Sequence, residues 1–317
     1  MSRLSAIVVT RNHREVVGVC LGSLLASDRP PDEIVVIDHA SDDGTAALVR
    51  RAVPSAAVLD FPDNPGFGEG VNRALRVVTG DAVVLLNPDA SVAPETLGIL
   101  LRRLEDDGLA AVVPKVLVAE PADDAPHIHS AGLRVDRLGR ARDRGCLEPD
   151  RGQLDRPETV LAGSGAALLL RTAAVREVSG FDPSYFLYYE DLDLCWRLWL
   201  AGYEITYEPS AVARHALPAD PDSAYLRHFL DPRNRFRTLL KNLSMATLAR
   251  RLPRLVLFEV TNTLDLALRH RRIRAVAWRL AAWAWTWRHL PSTWRARRTV
   301  QGLRRRSDGD LDRLFVP

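Results

Sequence analysis

The chain of 317 residues is 47% hydrophobic, enough to bury one large core with a smaller helical appendage, which excludes a disordered or fibrous protein. Its three cysteines, Cys20, Cys146 and Cys195, are too far apart for a zinc-binding CxxC pair and odd in number, so the expected compartment is a reducing cytoplasm rather than one that builds disulfide frameworks. The net charge of +3 conceals an asymmetry, because residues 250–306 hold fifteen arginines against only Glu259 and Asp265, leaving the rest of the chain net acidic.

From residue 4 to about 117 short β-branched runs alternate with helical patterns. The first strand, LSAIVV, carries an apolar run far shorter than that of a secretory leader. A helix near 13–26, the strand EIVVID, a helix near 43–52, the strand AAVLDF, a helix near 66–79, the strand AVVLLN, a helix near 94–105 and the strand AAVVPKVLV follow. This alternation predicts an open, mostly parallel α/β sheet, in which ligands gather at the carboxyl ends of the strands. Residues 120–158, rich in Pro, Asp and Gly, read as a long loop or irregular hairpin between two lobes of one domain. From 159 to 215 the pattern gives a strand (GAALLLR), a helix (TAAVREVSG), an aromatic loop (FDPSYFLYY), a helix (EDLDLCWRLWLAG) stopped by Gly202, and the strands EITYE and AVARH. Beyond about 222 the chain reads as helical to its end.

Polar residues fall at three strand ends: Thr10-Arg11-Asn12, Asp38-His39-Ala40-Ser41 and Asn87-Pro88-Asp89. Asn87-Pro88-Asp89 by itself fits a turn leaving a strand, but a carboxylate at that place can also hold Mg²⁺ or Mn²⁺ and leave coordination sites for diphosphate oxygens. At Asp38, a cap for the next helix from Ser41 or Asp42 and an acid pointing at a base or ribose are compatible readings. Glycines 66, 68 and 70 permit close backbone approach, yet their spacing is neither GxGxxG nor that of a P-loop. Glu190-Asp191-Leu192-Asp193 opens a helix, where acids are favoured by about 0.3–1 kcal/mol without any function, and Asp193 with Arg197 makes an ordinary i,i+4 pair. The aromatic loop before it would wall a site in which one of these carboxylates takes a proton from a hydroxyl.

The ordered set VVTRN, IDHASDDGT, NPGFGEGVN, LLNPDA, GFDPSYFLYYEDLDLCWRLWLAGY and the trailing His215 resembles the inverting family-two glycosyltransferases, in particular their rhamnosyltransferase-like branch, over roughly residues 4–245. The resemblance implies a GT-A fold, an α/β sheet flanked by helices with a helical C-terminal extension, and transfer with inversion from a nucleotide-sugar donor, most simply dTDP-rhamnose, to a glycan or lipid-linked acceptor. It further implies Asp191, paired with Glu190, as the catalytic base; Asp89 and His215 as contacts to Mg²⁺ or Mn²⁺; and Thr10, Asn12, Asp38, Asn64, Gly66, Phe67, Asn72 and Asn87 as donor contacts. Asn87 takes the place of the first acid in the family's usual Asp-x-Asp motif. On this reading residues 1–120 form the donor-binding lobe, 121–220 the acceptor-binding and catalytic lobe, and 221–317 a basic extension. A UDP-hexose transferase and a non-catalytic nucleotide-sugar or nucleic-acid binder are the alternatives.

Five of the seven tryptophans, Trp278, Trp283, Trp285, Trp287 and Trp294, lie in the arginine-rich segment. Arginine with tryptophan suits the headgroup layer of the inner membrane leaflet better than nucleic acid, which the acidic remainder would repel. The competing expectation is a helix pair whose tryptophans pack on the catalytic domain. No stretch is long and apolar enough to span a bilayer, and oligomeric state is not encoded in any pattern here.

Overall fold

A computed structural model describes residues 2–121, 125–217 and 225–316; the expected lobe boundary at 220/221 lies outside the described residues. The elements in chain order are β1 (Leu4–Thr10), α1 (Val17–Leu25), β2 (Glu33–His39), α2 (Thr45–Ala52), β3 (Ala57–Phe61), α3 (Phe67–Leu75), β4 (Ala82–Leu86), β5 (Ala90–Val92), α4 (Thr96–Leu104) and β6 (Leu109–Val118). Next come β7 (Ile128–Ser130), β8 (Leu133–Asp136), β9 (Ala141–Asp143), β10 (Glu158–Thr159), β11 (Ala167–Arg171), α5 (Thr172–Glu177), α6 (Glu190–Leu200) and β12 (Glu204–His215). A π-helical turn, Leu226–Leu230, leads into α7 (Asp231–Asn242), α8 (Met245–Leu268), α9 (Ile273–Arg288), α10 (Leu290–Gly302), α11 (Asp308–Leu311) and β13 (Phe315–Val316).

The main sheet runs β10-β12-β6-β11-β4-β1-β2-β3. It is parallel through β4, β1, β2 and β3, and β11 enters antiparallel to both of its neighbours. Continuous apolar runs such as Ala82–Leu86, buried along their whole length, are what a sheet covered on both faces requires. One face packs under α1 and α4 through Val17, Leu21, Leu97 and Leu100; the other packs under α3 and α6 through Val71, Leu194 and Trp199. EITYE and AVARH are one bent strand, β12, whose register shifts between Glu208 and Val212, as Pro209 demands at an unpaired position.

The segment 120–158 is more ordered than its composition suggests. Its β8–β9 hairpin joins the last strand of the chain, β13, in a second sheet. The basic extension therefore folds back on the α/β body. Arg306 donates to the Gly202 carbonyl at 2.8 Å, and Arg305 pairs with Glu177 at 2.9 Å. Within the extension, buried Glu259 of α8 is bracketed by Arg235 of α7 and Arg279 of α9. Trp283 packs on Phe236 and Trp285 stacks on His289, whereas Trp287 stays 68% exposed. Among the described residues no helix is long and apolar enough to cross a membrane.

Candidate active site

Parallel pairing sets Thr10 beside Asp38, both at the carboxyl ends of their strands, and β4 brings Asn87–Asp89 to the same edge. A hollow of about 190 Å³ opens there, lined by Thr10, Asn64, Phe67, Asn87 and Asp89 among the expected residues and by Arg11, His13 and His39 in addition. It is smaller than a site that encloses a ligand, so it is the floor of an open cleft. A larger groove of about 330 Å³, lined by Ser2, Arg29, Glu95 and Arg102, lies beside the start of β1, the wrong end of a parallel sheet for ligands.

The first loop is tied to the second. Asn12 accepts from the Asp42 backbone at 3.0 Å, and its own N–H donates to Ser41 Oγ at 2.9 Å. Asp38 Oδ1 accepts from the Ser41 backbone at 2.9 Å, while Asp38 Oδ2 and His39 Nε2 are buried without a partner. A buried polar atom left unsatisfied is costly unless a ligand or water meets it. The expected cap is corrected: neither Ser41 nor Asp42 caps α2, whose N-cap is Gly44 with no side-chain bond, and Asp43 accepts the Thr45 N–H at 2.9 Å just before it. Burial lowers the pKa of both His13 and His39, which keeps their rings neutral.

Gly66 and Asn72 work on the far wall. Gly66 has φ +98°, and a Cβ there would lie 2.2 Å from the Phe186 carbonyl oxygen, so only glycine lets the NPGFG loop touch the aromatic loop. Asn72 does not reach the hollow: its side chain accepts from the Phe181 N–H and donates to the Phe181 carbonyl, both at 2.8 Å. Its expected donor contact is thereby replaced by a structural one, the docking of α3 on the aromatic loop.

Asp89 meets His215 because β5 pairs with the end of β12, placing His215 opposite Ala90. The Asp89 Oδ1 to His215 Nε2 distance is 3.1 Å, and Asn87 Nδ2 lies 3.2 Å from the same nitrogen. Burial pushes the Asp89 carboxyl up, but the hydrogen bond and charge of His215 outweigh it and hold the pKa below its ordinary value. The other His215 nitrogen is 3.1 Å from His129 Nε2 on β7, and burial, followed by the charge of His215, drives the His129 pKa down to about 4. A neutral imidazole at this place fixes the tautomer and orientation of the His215 ring. Among the described residues no three His, Cys, Asp or Glu side chains form a ligand cluster. The pair therefore fits a hard divalent cation only if donor oxygens or water complete the shell.

The acid pair sits at the end of a strained turn. Tyr188 and Tyr189 have φ +68° and +71°, a region that non-glycine residues occupy only where surroundings compel them. Asn234 of α7 supplies that compulsion, its amide donating to the carbonyls of Leu187 at 2.8 Å and Tyr188 at 2.7 Å. Tyr189 Oη donates to the Gly139 carbonyl of the hairpin at 3.2 Å. This turn presents Glu190 and Asp191. Burial and then the charge of Asp191 push the Glu190 pKa up to about 8, and its Oε2 has no partner. Burial also raises Asp191, although its oxygens accept the Gly165 N–H at 3.0 Å and the Leu192 N–H at 2.7 Å.

The hollow and the acid pair approach each other at Gly165. A Cβ on Gly165 would meet the Phe67 ring at 3.2 Å and Asp191 Cβ at 3.9 Å, so Phe67 of the hollow and Asp191 flank the same glycine. Asp193, by contrast, faces away. It is completely buried against Arg197, Lys241 and Asn242 and fastens α6 to α7. His13, His129 and Asn234 were not singled out in the sequence, whereas His39 stood within the strand-end run Asp38-His39-Ala40-Ser41 without a role of its own. His13 adjoins a motif already singled out, whereas His129 and Asn234 gain meaning only through contacts more than forty residues away.

Residues 5–176 match the family described as Glycosyl transferase family 2. A relative in Mycobacterium tuberculosis (strain H37Rv), an N-acetylglucosaminyl-diphospho-decaprenol L-rhamnosyltransferase, is 30% identical over 237 residues, which span 66% of this chain and 75% of the relative. Among solved structures, GalNAc-T7 with UDP, GalNAc and Mn²⁺ superposes with a TM-score of 0.61 at 16% identity, over 76% of this chain and 48% of the other. The mannosyltransferase PcManGT from Pyrobaculum calidifontis, in complex with GDP-Man and Mn²⁺, gives 0.54 at 20% identity, over 95% and 84%. These structural likenesses establish the GT-A fold, and the match to more than half of the chain together with the mycobacterial relative establishes the lineage: this chain belongs to glycosyl transferase family 2 and is a glycosyltransferase.

Proposed function

We propose that the protein transfers a sugar, rhamnose from dTDP-rhamnose, with inversion onto a hydroxyl of a lipid-linked saccharide at the inner face of the cytoplasmic membrane. The observation that carries this reading is the approach of the hollow to the acid pair, with Asp89 and His215 on the hollow's side and Asp191 across Phe67 and Gly165. The mycobacterial relative supports the sugar and the kind of acceptor. Asp38 with Thr10 and Asn64 receives the nucleoside, and Asp89 and His215 would hold Mg²⁺ or Mn²⁺. Such a cation would neutralise charge on the departing diphosphate. Asp191 accepts the acceptor's hydroxyl proton, the freed oxygen attacks the anomeric carbon, and the bond to the diphosphate oxygen breaks on the opposite face. Burial and the charge of Asp191 raise the Glu190 pKa, which favours one negative charge on the adjoining pair.

The test is nucleotide release from a donor panel of dTDP-, UDP- and GDP-sugars, with Mg²⁺ or Mn²⁺ and with chelator. Release from dTDP-rhamnose that chelator abolishes is expected. Preference for a UDP-hexose would select the second reading, and metal-independent release would remove Asp89 and His215 from their roles.

The membrane part rests on the α8–α9 turn. Leu264, Leu268 and Ile273 are 50%, 73% and 82% exposed there, and Arg269, Arg271, Arg272 and Arg274 beside them are exposed too. Apolar side chains ringed by arginine suit an anionic lipid surface. At about 1 kcal/mol per arginine, replacing all four by serine should weaken binding to phosphatidylglycerol vesicles by roughly 10²–10³-fold. Because the end of the chain packs on the catalytic body, these substitutions test the idea more cleanly than truncation. Unchanged vesicle sedimentation would refute it, and salt-sensitive duplex DNA binding lost in the same variant would favour nucleic acid instead.

A further inference from the structure

The loop after β1 holds a histidine locked in one tautomer. The backbone N–H of His13 donates to Thr45 Oγ1 at 3.0 Å, which ties the residue to the start of α2. Its Nδ1 accepts the backbone N–H of Arg11 at 3.1 Å, and the Thr10 hydroxyl lies 3.2 Å from the same nitrogen. A backbone amide can only donate, so Nδ1 carries the lone pair and the ring proton sits on Nε2. Burial, which lowers the His13 pKa, acts in the same direction by keeping the ring neutral. The Nε2–H has no hydrogen-bond partner among the described residues.

His13 lines the hollow at the strand ends together with Arg11, Asn64, Asn87 and Asp89. Asp89 is the only carboxylate among the lining residues, and its Oδ1 is held by His215 at 3.1 Å rather than by His13. Arg11 is exposed and makes no ion pair among the described residues. A guanidinium that only donates and an imidazole that can only donate in this tautomer suit a ligand whose oxygens only accept, and phosphate is that ligand. A nucleobase or a sugar presents hydrogen-bond donors as well, for which Arg11 and His13 offer nothing.

We propose that His13 is a diphosphate-binding residue: its Nε2–H donates to a phosphate oxygen of the bound nucleotide, and Arg11 offsets charge on the same diphosphate. This rests on the glycosyl-transfer reading above and deepens it. The bonds to Thr45, Thr10 and Arg11 aim the imidazole before the nucleotide arrives, so binding has little left to order.

The test separates the two ring nitrogens. His13→Asn keeps an acceptor where Nδ1 meets the Arg11 N–H but has no hydrogen-bond donor at the place of Nε2, whereas His13→Gln reaches that place and gives up the loop contact. Titration calorimetry of the full chain follows dTDP, UDP and GDP with Mg²⁺, and inorganic pyrophosphate, beside thermal melts without ligand. The wild type should bind at least one of the nucleotides. His13→Asn should bind it about tenfold or more weakly, as loss of a bond to a charged group implies, with an unchanged melting temperature. His13→Gln should retain more affinity than His13→Asn, and Arg11→Ala should lose about threefold or more at low salt. Nucleotide bound by His13→Asn as tightly as by wild type overturns the assignment and leaves the glycosyl-transfer reading standing. Tighter binding by His13→Asn than by His13→Gln also overturns it, because that is the order a ring that merely supports the loop would give. Imidazole nitrogen NMR of the wild type decides even if the variants do not fold: His13 should be the Nε2–H tautomer with Nε2 shifted by nucleotide, and the other tautomer, or an unmoved Nε2, overturns the assignment. Pyrophosphate bound through His13 by a protein that takes none of the nucleotides would keep the anion contact and remove the glycosyl-transfer reading; no binding of any of these ligands removes both.

Discussion

Asp191→Asn is expected to lower turnover by roughly 10²–10⁴-fold, the usual contribution of a positioned base, while leaving the affinity for donor nucleotide within about twofold. The amide keeps the size of the carboxylate, so the variant isolates the proton-accepting step. The pH dependence follows from the direction of the shifts. Burial raises Asp191 above an ordinary aspartate, so wild-type activity should fall on the acid side as pH drops through that raised value. A carboxyl whose folded pKa is raised binds its proton more tightly folded than unfolded. The contribution of Asp191 to wild-type stability is therefore fullest in acid and declines as pH rises through the window between the two values. Asparagine carries no such penalty, and the variant should melt at least as high as wild type at pH 8, the difference closing towards acid. Turnover near wild type in Asp191→Asn, measured by nucleotide release with acceptor present, would remove the base from this position.

The order of elements from 4 to 118, the short strand β5 (Ala90–Val92) apart, was readable because the strands are apolar runs and each intervening helix has its own period. The second half of the molecule obeys longer-range rules. The β8–β9 hairpin lacks a strong alternating pattern because it is stabilised by β13, nearly two hundred residues later. Asp89, Asp191 and His215 stood out because each ends a strand or begins a helix beside other polar residues, and the fold carries such ends to one edge. Asn72 misled for the same reason in reverse. It lies in a motif whose Asn64 and Phe67 line the hollow, yet the helical turn of α3 sends its amide to Phe181. The arginine-rich segment shows why composition under-determines position. Arg251, Arg279 and Arg297 are buried in packing or pairing, whereas Arg269, Arg271, Arg272 and Arg274 remain in solvent, and only tertiary structure separates the two sets.

Lys241→Met should destabilise the protein by about 3–5 kcal/mol, because it strips the cation from two buried acids at once. The ammonium is 1% exposed and lies 2.5 Å from Asp182 Oδ2 and 2.9 Å from Asp193. Burial lowers the lysine's own pKa despite both partners, a sign that desolvation consumes much of the Coulombic gain. Removing one member is therefore far costlier than the net worth of the cluster. Burial acts to raise Asp182 and Asp193, but Lys241 and the arginines beside them overcome it and hold both carboxyls below their ordinary range. Their contribution is present above the unfolded carboxylate pKa, about 3.9, and is lost as pH falls through the folded values. The gap between wild type and Lys241→Met in urea denaturation should accordingly be widest near neutrality and shrink in acid; a gap under about 1 kcal/mol at pH 7 would show that the arginines alone suffice. The consequence reaches the chemistry, because Asp193 lies two residues after Asp191 on the first turn of α6. A helix freed from Lys241 and Asn242 presents the base less accurately, and since misplacement on the order of 1 Å can cost about a hundredfold in rate, Lys241→Met should also lower turnover at temperatures where it is still folded.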